Sequence, residues 1–326
     1  MQSNITLQDV FSAQQRIASV ARQTPLLSSS SLSERTAADV YLKLENLQET
    51  GTFKVRGAAN KILSLSEEQR ARGVVTASTG NHGRAVSFVA KKVGIPAVVC
   101  ISERVPQNKV EALRRNGAEL VVEGHGQDEA AERAAALQAE RGLIMVHPFD
   151  DPDVIAGQGT IALEMLNALP ELDIILVPLS GGGLISGIGL ALKSAAPGAR
   201  VVGVSMERAP VMYHSLQAGH PVQMPEEDTL ADSLLGGIGL DNQYTFRLVQ
   251  QFVDDVVLVS EEEIARGMAF LMREHNVIAE GAGAVGIAAL LGGKVSEPGQ
   301  NVGVVVSGGN VDLDTLLKAV EPIVAS

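Results

Sequence analysis

The sequence is poor in cysteine and in basic side chains, and both deficits exclude classes of protein. Its single cysteine, Cys100, excludes an intramolecular disulfide and a zinc cluster built from thiolates. The apolar run around it, PAVVCI, indicates a buried structural thiol. With 26 basic against 38 acidic side chains, the net charge of −12 argues against a nucleic-acid-binding surface.

Signals for export and membrane insertion are also lacking. The N-terminal stretch MQSNITLQDVFSAQQRI is polar and has no signal-peptide core. Residues 174–192 form a long uncharged run, but Pro178 and three glycines interrupt it at its middle. We interpret this run as a strand, a loop and a helix rather than a membrane span, since lipid leaves a broken backbone without partners. These features predict a cytoplasmic protein.

Apolar β-branched runs alternate with helix-like segments along most of the chain. The first group of predicted strands covers residues 73–78, 95–101, 118–123 and 143–148. The second group covers residues 173–179, 200–206, 254–260 and 301–308. This alternation predicts an α/β fold with two open, mostly parallel sheets covered by helices. Ligands of such sheets bind at the carboxyl ends of strands.

Two glycine-rich loops at predicted strand ends have different ligand preferences. Ser180-Gly181-Gly182-Gly183 stands between a strand and a helix, where backbone N–H groups can bind an anion. No G-K-[S/T] lysine follows, so one phosphate fits better than a triphosphate, and a tight turn is the alternative. The motif G-x-G-x-x-G at 281–286 is a weak nucleotide signal because acidic Glu280 precedes it; a helix start at Glu280 is the ordinary interpretation.

Polar side chains follow two further predicted strands. The stretch Ser78-Thr79-Gly80-Asn81-His82 offers hydroxyls, an amide and N–H groups that could bind a carboxylate. An ordinary helix cap is the alternative, and a histidine such as His82 taken alone is more often packed or capping than catalytic. The stretch 307–310, SGGN, follows the last predicted strand and could equally be a turn.

One lysine stands in an unusual context. Lys54 follows the aromatic Phe53 and precedes a run of small residues, Gly57-Ala58-Ala59. A crowded apolar site disfavours the ammonium form, and an unprotonated amine can attack a carbonyl carbon.

Together, the lysine and the loops resemble the fold-type II pyridoxal-phosphate enzymes, specifically the serine/threonine dehydratase and serine racemase family. The resemblance covers nearly the whole chain. It rests on the order and spacing of TPLL (24–27), YLKLENLQETGTFKVRGA (41–58), STGNHGRAV (78–86), VIAGQGTIALEML (154–166), SGGGLISGIG (180–189), AEGAGAVG (279–286) and VVSGGN (305–310).

The resemblance implies a fold, a cofactor and an assembly. The expected fold is of the tryptophan synthase β type, with residues 1–50 and 149–326 in a large cofactor-binding domain and residues 51–148 in a small β/α domain. The expected cofactor is pyridoxal 5′-phosphate and the expected partner is a small amino-acid substrate. Members of the family form homodimers or tetramers.

The resemblance also implies roles for individual residues. Lys54 would bind the cofactor covalently and then act as the base for the substrate α-proton. Phe53 would lie against the pyridine ring, Asn81 would bond its phenolic oxygen, and Ser307 would bond its nitrogen. The phosphate would bind Gly181, Gly182, Gly183 and Leu184, and the substrate carboxylate would bind the loop of Ser78, Thr79, Asn81 and His82.

The reaction follows from the neutral partner expected at the ring nitrogen. A hydroxyl such as Ser307 makes the ring a weaker electron sink than a carboxylate would, which favours expulsion of a β-hydroxyl over transamination. The sequence therefore predicts a dehydratase, or ammonia-lyase, that converts a β-hydroxy amino acid to a 2-oxo acid and ammonia. The alternatives are an amino acid racemase on the same scaffold and, more distantly, a nucleotide- or metabolite-binding protein without pyridoxal phosphate.

Several positions depart from the family pattern and bear on specificity. Thr79 stands where racemases have a catalytic serine and dehydratases often alanine, so it is a second candidate catalytic residue. Phe149 stands where racemases tend to have asparagine, which favours a dehydratase, and Ser233 replaces a frequent glycine near the substrate side chain. Details of four motifs resemble a subgroup linked to hydroxyectoine utilisation and phenylserine breakdown.

The family's divalent-cation site is expected to be missing. Its acidic positions correspond here to Ser205 and Val211, neither of which is a carboxylate. Glu207 nearby is interpreted as a salt-bridged surface residue, so no metal ligands are predicted.

Overall fold

The structure, a computed structural model, describes residues 5–78, 80–103 and 107–324. The helices are α1 (Leu7–Ile17), α2 (Ser30–Thr36), α3 (Lys54–Ser64), α4 (Glu67–Arg72), α5 (Asn81–Val93), α6 (Gln107–Arg115), α7 (Gln127–Arg141), α8 (Pro152–Ala168), α9 (Gly183–Ala195), α10 (Val211–Ala218), α11 (Thr245–Phe252), α12 (Glu261–His275), α13 (Gly281–Leu291) and α14 (Leu313–Val324). The strands are β1 (Leu26–Ser28), β2 (Asp39–Leu44), β3 (Val74–Ala77), β4 (Ala97–Ile101), β5 (Glu119–Val122), β6 (Ile144–Met145), β7 (Ile174–Pro178), β8 (Arg200–Met206), β9 (Asp255–Val259) and β10 (Asn301–Val306).

Contacts divide the chain into two compact units. The first unit contains the chain up to Arg22 together with Lys54–Gln158, and the second contains Gln23–Phe53 and the chain from Gly159 onward. The expected boundaries were 1–50, 51–148 and 149–326, so the structure groups α1 and the start of α8 with the smaller unit instead. The reason is apolar packing, because the end of α1 shares a buried cluster with α3, α5 and the start of α8.

The first unit is built around a parallel sheet in the order β5-β4-β3-β6. Its four strands were all predicted, but β6 is much shorter than the expected 143–148. The Val146 carbonyl accepts a 2.9 Å hydrogen bond from Thr76 Oγ1 and a 2.8 Å bond from His82 Nε2. This oxygen is therefore occupied by side chains, and Pro148 has no N–H to offer, so the ladder ends after two residues.

The second unit is built around a six-stranded sheet in the order β1-β2-β10-β7-β8-β9. Only β1 and β2 pair antiparallel, and the other neighbours are parallel. The predicted strands of this unit are confirmed as β7 to β10, whereas β1 and β2 were not predicted. Helix α13 packs on the sheet with both of its faces buried, as expected for a helix built entirely of glycine and apolar residues.

The long uncharged run forms β7, a glycine loop and α9, as predicted. Within the described ranges, no helix combines the length and the apolar character that crossing a membrane requires. Helix α12 begins with a capping box, since Glu263 N donates to Ser260 Oγ at 3.3 Å and Ser260 N donates to Glu263 Oε2 at 2.7 Å.

The lone cysteine lies in β4 and is buried, as predicted. Burial disfavours the thiolate and raises the pKa of the Cys100 thiol to about 11. A thiol with that pKa stays protonated at neutral pH, which fits a structural role.

Candidate active site

Lys54 is the first residue of α3, and its half-buried side chain ends on a backbone carbonyl. Its Nζ donates a 2.7 Å hydrogen bond to Pro148 O, in the loop that follows β6. A backbone carbonyl leaves no signal in the sequence, so this partner was not predicted. The bond holds the amine of a flexible four-carbon side chain in one place.

The small residues after Lys54 allow two helices to cross closely. A Cβ on Gly57 would clash with the Gln158 side chain and would lie 2.9 Å from Val154 O. A Cβ on Gly157, in α8, would lie 2.7 Å from Arg56 O. Helix α3 therefore rests directly on α8, and this contact sets the direction in which α3 presents its first residue.

His82, the second residue of α5, is buried and uncharged. Because the Val146 carbonyl can only accept, His82 Nε2 carries the proton of their 2.8 Å hydrogen bond. Burial, and next the positive charge of Lys54, lower the pKa of the imidazole to about 3. Nδ1 is thus a bare, buried acceptor that bonds to none of the described residues. An acceptor cannot bond a carboxylate, so the contact that the resemblance implies between His82 and a substrate carboxylate would have to come from the backbone N–H of His82.

Phe149 lies in the same loop as Pro148 and is held by the neighbouring histidine. The N–H groups of Phe149 and Asp150 point to His147 Nδ1 at 3.3 and 2.8 Å. The rings of His147 and Phe149 meet edge to face with centroids 4.7 Å apart. The residue expected to separate dehydratases from racemases is therefore fixed in orientation.

The expected carboxylate loop lies between β3 and α5. Ser78 and Asn81 are half-buried there, while Thr79 lies outside the described residues. Gly83 has no room for a side chain, because an added Cβ would run into the Ser78 carbonyl. The loop therefore folds tightly against the first turn of α5, which begins at Asn81 without a side-chain cap.

The expected phosphate loop follows β7 in the second unit. Gly182 has a φ of +87°, which favours glycine, and caps α9 without a side chain. The hydrogen-bond ladder of α9 begins with the bond from Ser186 N to Gly182 O. The N–H groups of Gly183 and Leu184 lie before this bond, so the helix itself supplies no acceptor for them. With no acidic residue in the first turn, this helix start suits an anion.

Ser307 follows β10 at the same edge of the sheet as that loop, because β10 and β7 are parallel neighbours. It is 3% exposed, and its carbonyl accepts a 3.0 Å hydrogen bond from Phe53 N. A bridge between Thr52 and Gly308 extends the pairing by one residue. Phe53 and Ser307, which are expected at the face and at the nitrogen of the cofactor ring, are thus connected by backbone hydrogen bonding within the second unit.

Two other residues of this unit differ in how well the sequence placed them. Ser233 lies in an exposed 3-10 turn, Asp232–Leu234, with its hydroxyl 3.4 Å from Asp232 Oδ1.

Glu280 does precede α13, as interpreted, but its side chain does not cap the helix. It is 4% exposed, and a Cβ on Gly308 would lie 2.6 Å from its Oε1. The sequence patterns did not predict that Glu280 is a buried carboxylate beside Gly308, the residue after Ser307. The feature that could have indicated it is an acidic residue within the small-residue run IAEGAGAVG.

The expected cation positions carry no carboxylate pair. Ser205 and Val211 are buried, and Glu207 forms a 3.4 Å ion pair with Lys294, as interpreted. Lys294 also pairs with Glu263 at 2.8 Å. Over the part of the chain that the structure describes, no three His, Cys, Asp or Glu side chains group in a way that could hold a metal ion.

These residues fit pyridoxal phosphate. Taken one by one, a lysine whose amine donates to a carbonyl, a side-chain-free helix start and a buried neutral hydroxyl suit three of the cofactor's four polar groups: its aldehyde, its phosphate and its ring nitrogen. Lys54 would bind it covalently, Gly181–Leu184 would hold its phosphate, and Ser307 would bond its ring nitrogen. When bound, the cofactor stabilises the electron pair left on an amino acid after loss of its α-proton.

Comparison with known proteins gives the family directly. The sequence profile described as "Pyridoxal-phosphate dependent enzyme" matches residues 17–308. The L-threonine ammonia-lyase of Thermotoga maritima is 47% identical over 312 residues, covering 96% of this chain and 77% of the relative. The catabolic L-threonine dehydratase of Staphylococcus aureus is 41% identical over 321 residues, covering 97% and 92%. The structure of maize serine racemase matches with a TM-score of 0.92 at 36% identity over 99% of each chain. The chain belongs to the pyridoxal-phosphate-dependent enzymes of the threonine dehydratase and serine racemase family.

Proposed function

We propose that this protein is an L-threonine ammonia-lyase, a carbon–oxygen lyase that converts L-threonine to 2-oxobutanoate and ammonia. The observation that carries the proposal is Lys54, held at the start of α3 by Pro148 O in a chain 41–47% identical to threonine ammonia-lyases and dehydratases over nearly its full length. The balance is simple: threonine loses water across its α and β carbons, and the resulting enamine takes up water as it releases ammonia.

Lys54 performs the proton transfer in this proposal. Its unprotonated amine removes the α-proton, and the resulting ammonium can protonate the departing β-hydroxyl. The Pro148 carbonyl can only accept hydrogen bonds, so it orients Lys54 Nζ without donating to the lone pair of the amine. Neutral His82 adds no second positive charge near the amine. In this proposal a single side chain, that of Lys54, therefore acts as the base.

Ser307 and Phe149 favour elimination over the competing outcomes. The buried Ser307 hydroxyl would give the ring nitrogen of bound pyridoxal phosphate a neutral partner in place of a carboxylate, and the weaker electron sink that results would disfavour transamination. Phe149 supplies an apolar edge, fixed by His147, where a racemase would place an amide. Racemisation is the second candidate because maize serine racemase shares the fold at 36% identity.

The substrate proposal is L-threonine first and L-serine second. The relatives from Thermotoga maritima and Staphylococcus aureus carry threonine in their names, whereas the proposal of phenylserine or hydroxyectoine-derived amino acids as substrates rests only on motif details. Those bulkier 3-hydroxy amino acids belong in the test panel as comparisons. We also propose a cytoplasmic homodimer or homotetramer; size-exclusion chromatography with light scattering decides its mass.

The decisive experiment measures 2-oxo acid formation by purified protein loaded with pyridoxal phosphate. We expect turnover of L-threonine and a visible cofactor absorption band that borohydride abolishes. Lys54→Ala should lose both, and Lys54→Arg, which keeps the charge but cannot attack, should lose turnover equally. Chiral chromatography of the remaining substrate detects racemisation. If L-threonine were only epimerised at Cα, to D-allo-threonine, without formation of 2-oxobutanoate, the lyase proposal would be wrong.

A further inference from the structure

A second lysine of α3 lies on the same face as Lys54. Lys61 follows it by seven residues, which is close to two helical turns. Its Nζ is 2.7 Å from Asp151 Oδ2 and 3.3 Å from Asp153 Oδ2. The side chains of Lys61 and Asp151 are only 16% and 13% exposed, so water screens their ion pair much less than a surface pair.

Asp151 uses its two oxygens for different tasks. Oδ2 pairs with Lys61, while Oδ1 accepts the N–H groups of Asp153 at 2.8 Å and Val154 at 3.1 Å. The second set of bonds caps the start of α8. Asp151 is therefore a fixed point at which the loop after β6 joins both α8 and α3.

The loop is held to α3 at two points three residues apart. Pro148 O accepts the hydrogen bond of Lys54 Nζ, and Asp151 forms an ion pair with Lys61. Lys54 and Lys61 thus both bind the short stretch 148–151, from positions two turns apart on one helix face. The pKa of Lys61 is raised, since burial, which lowers it, is outweighed first by the charge of Asp151 and then by Asp153. Lys61 therefore stays charged throughout the neutral range.

We propose that Lys61 and Asp151 are positioning residues for Lys54. Their ion pair sets the place of the Pro148 carbonyl, and that carbonyl in turn sets where the Lys54 amine waits for the substrate α-proton. A hydrogen bond of 2.7 Å is lost when its acceptor moves by about 1 Å, and such a displacement of a reacting group costs on the order of 100-fold in rate. This inference rests on the proposed function, in which Lys54 is the base.

The test uses three variants of the loaded enzyme. Lys61→Met removes the charge and keeps the stem, and Asp151→Asn keeps a capping oxygen for α8 but turns the pair into two facing donors. Asp153→Asn is the matched control, because it alters only the longer, more exposed contact of Lys61. The measurements are kcat, KM, the pH profile of kcat and the melting temperature.

We expect Lys61→Met and Asp151→Asn to lower kcat about tenfold or more while KM changes less than about threefold. The acidic limb of the profile, on which the Lys54 base must lose its proton, should move to lower pH, because the Pro148 O contact that favours the protonated amine is weakened. The double variant should be no worse than the poorer single variant. Asp153→Asn should resemble the parent. An unchanged kcat and pH profile with a lowered melting temperature would show that the pair is merely structural.

A second measurement separates this inference from the proposed reaction. L-Alanine has no leaving group, so exchange of its α-proton for deuterium reports the base alone. If the parent exchanged L-alanine but eliminated nothing from L-threonine, the lyase proposal would fail, and slower exchange in Lys61→Met and Asp151→Asn would still support the positioning role. Equal exchange in all variants, or none in the parent, would overturn that role.

Discussion

The backbone N–H of Phe53 donates a 3.0 Å hydrogen bond to the carbonyl of Ser307. These residues are more than 250 positions apart in the chain, yet the family resemblance assigns them to the face and the nitrogen of one cofactor ring. The bond between them, and the Thr52–Gly308 bridge beside it, make their spacing a property of the backbone. Their side chains can therefore be changed without moving the chain that carries them.

Gly308 should be intolerant of a side chain. In Gly308→Ala the new methyl group would meet Glu280 Oε1 at 2.6 Å and Thr52 Cγ2 at 2.7 Å. We expect a loss of about 1–3 kcal/mol in the free energy of unfolding, with weaker retention of pyridoxal phosphate because Ser307 must shift. Urea denaturation and cofactor titration measure both. Gly198→Ala is the control, since its methyl group would meet no atom of the described residues within 4 Å; equal behaviour of the two variants would contradict the prediction.

His82 should make the protein sensitive to acid. Its folded pKa is about 3, whereas an unfolded histidine titrates near ~6.5. Between these pH values the unfolded chain binds a proton that the folded chain does not bind. The contribution of neutral His82 to the free energy of unfolding is therefore complete above about pH 6.5 and is lost as the pH falls towards about 3. His82→Gln retains a donor for Val146 O and cannot titrate.

We expect the stability of His82→Gln to fall less on acidification than that of the parent, by about 2 kcal/mol between pH 7 and about pH 5. Denaturant unfolding at several pH values gives the comparison. His82→Asn, which loses the donor but keeps an acceptor at the Nδ1 position, should be less stable than His82→Gln at every pH. Parallel pH curves for the parent and His82→Gln would rule out a buried neutral imidazole.

Cys100 should resist thiol reagents while the chain is folded. The thiol is buried in β4, and burial raises its pKa to about 11, so little thiolate forms near about pH 8. We expect slow reaction with a chromogenic disulfide reagent in native buffer and rapid release of one equivalent in urea. Because the chain has one cysteine, the denatured sample is its own control. Rapid native labelling would place the thiol at the surface.

Chelators should leave the activity unchanged. Ser205 and Val211 supply no carboxylate, and Glu207 already pairs with Lys294. We expect EDTA to alter L-threonine turnover by less than about twofold, and added magnesium or calcium to have no effect. Glu207→Gln should behave like the parent. Loss of activity in EDTA that magnesium restores would reveal a cation site built from other ligands.

Local patterns predicted most of the fold. Each of the strands β3 to β5 and β7 to β10 is a short apolar β-branched run, and such a run needs no distant partner to be recognised. The exceptions have long-range causes. β6 stops early because Thr76 and His82 take the Val146 carbonyl, and α1 joins the smaller unit because its apolar end packs on α3.

The sequence by itself determined the chemistry of this protein: one lysine before a run of small residues, a glycine loop without a Walker lysine, and a neutral serine after the last strand. These are choices of residue type, and residue type is what a sequence records. Only the tertiary structure decided how the lysine is held. The Pro148 carbonyl, the α3–α8 crossing, the buried Glu280 and the Lys61–Asp151 pair arise from backbone atoms and from residues that meet only after folding.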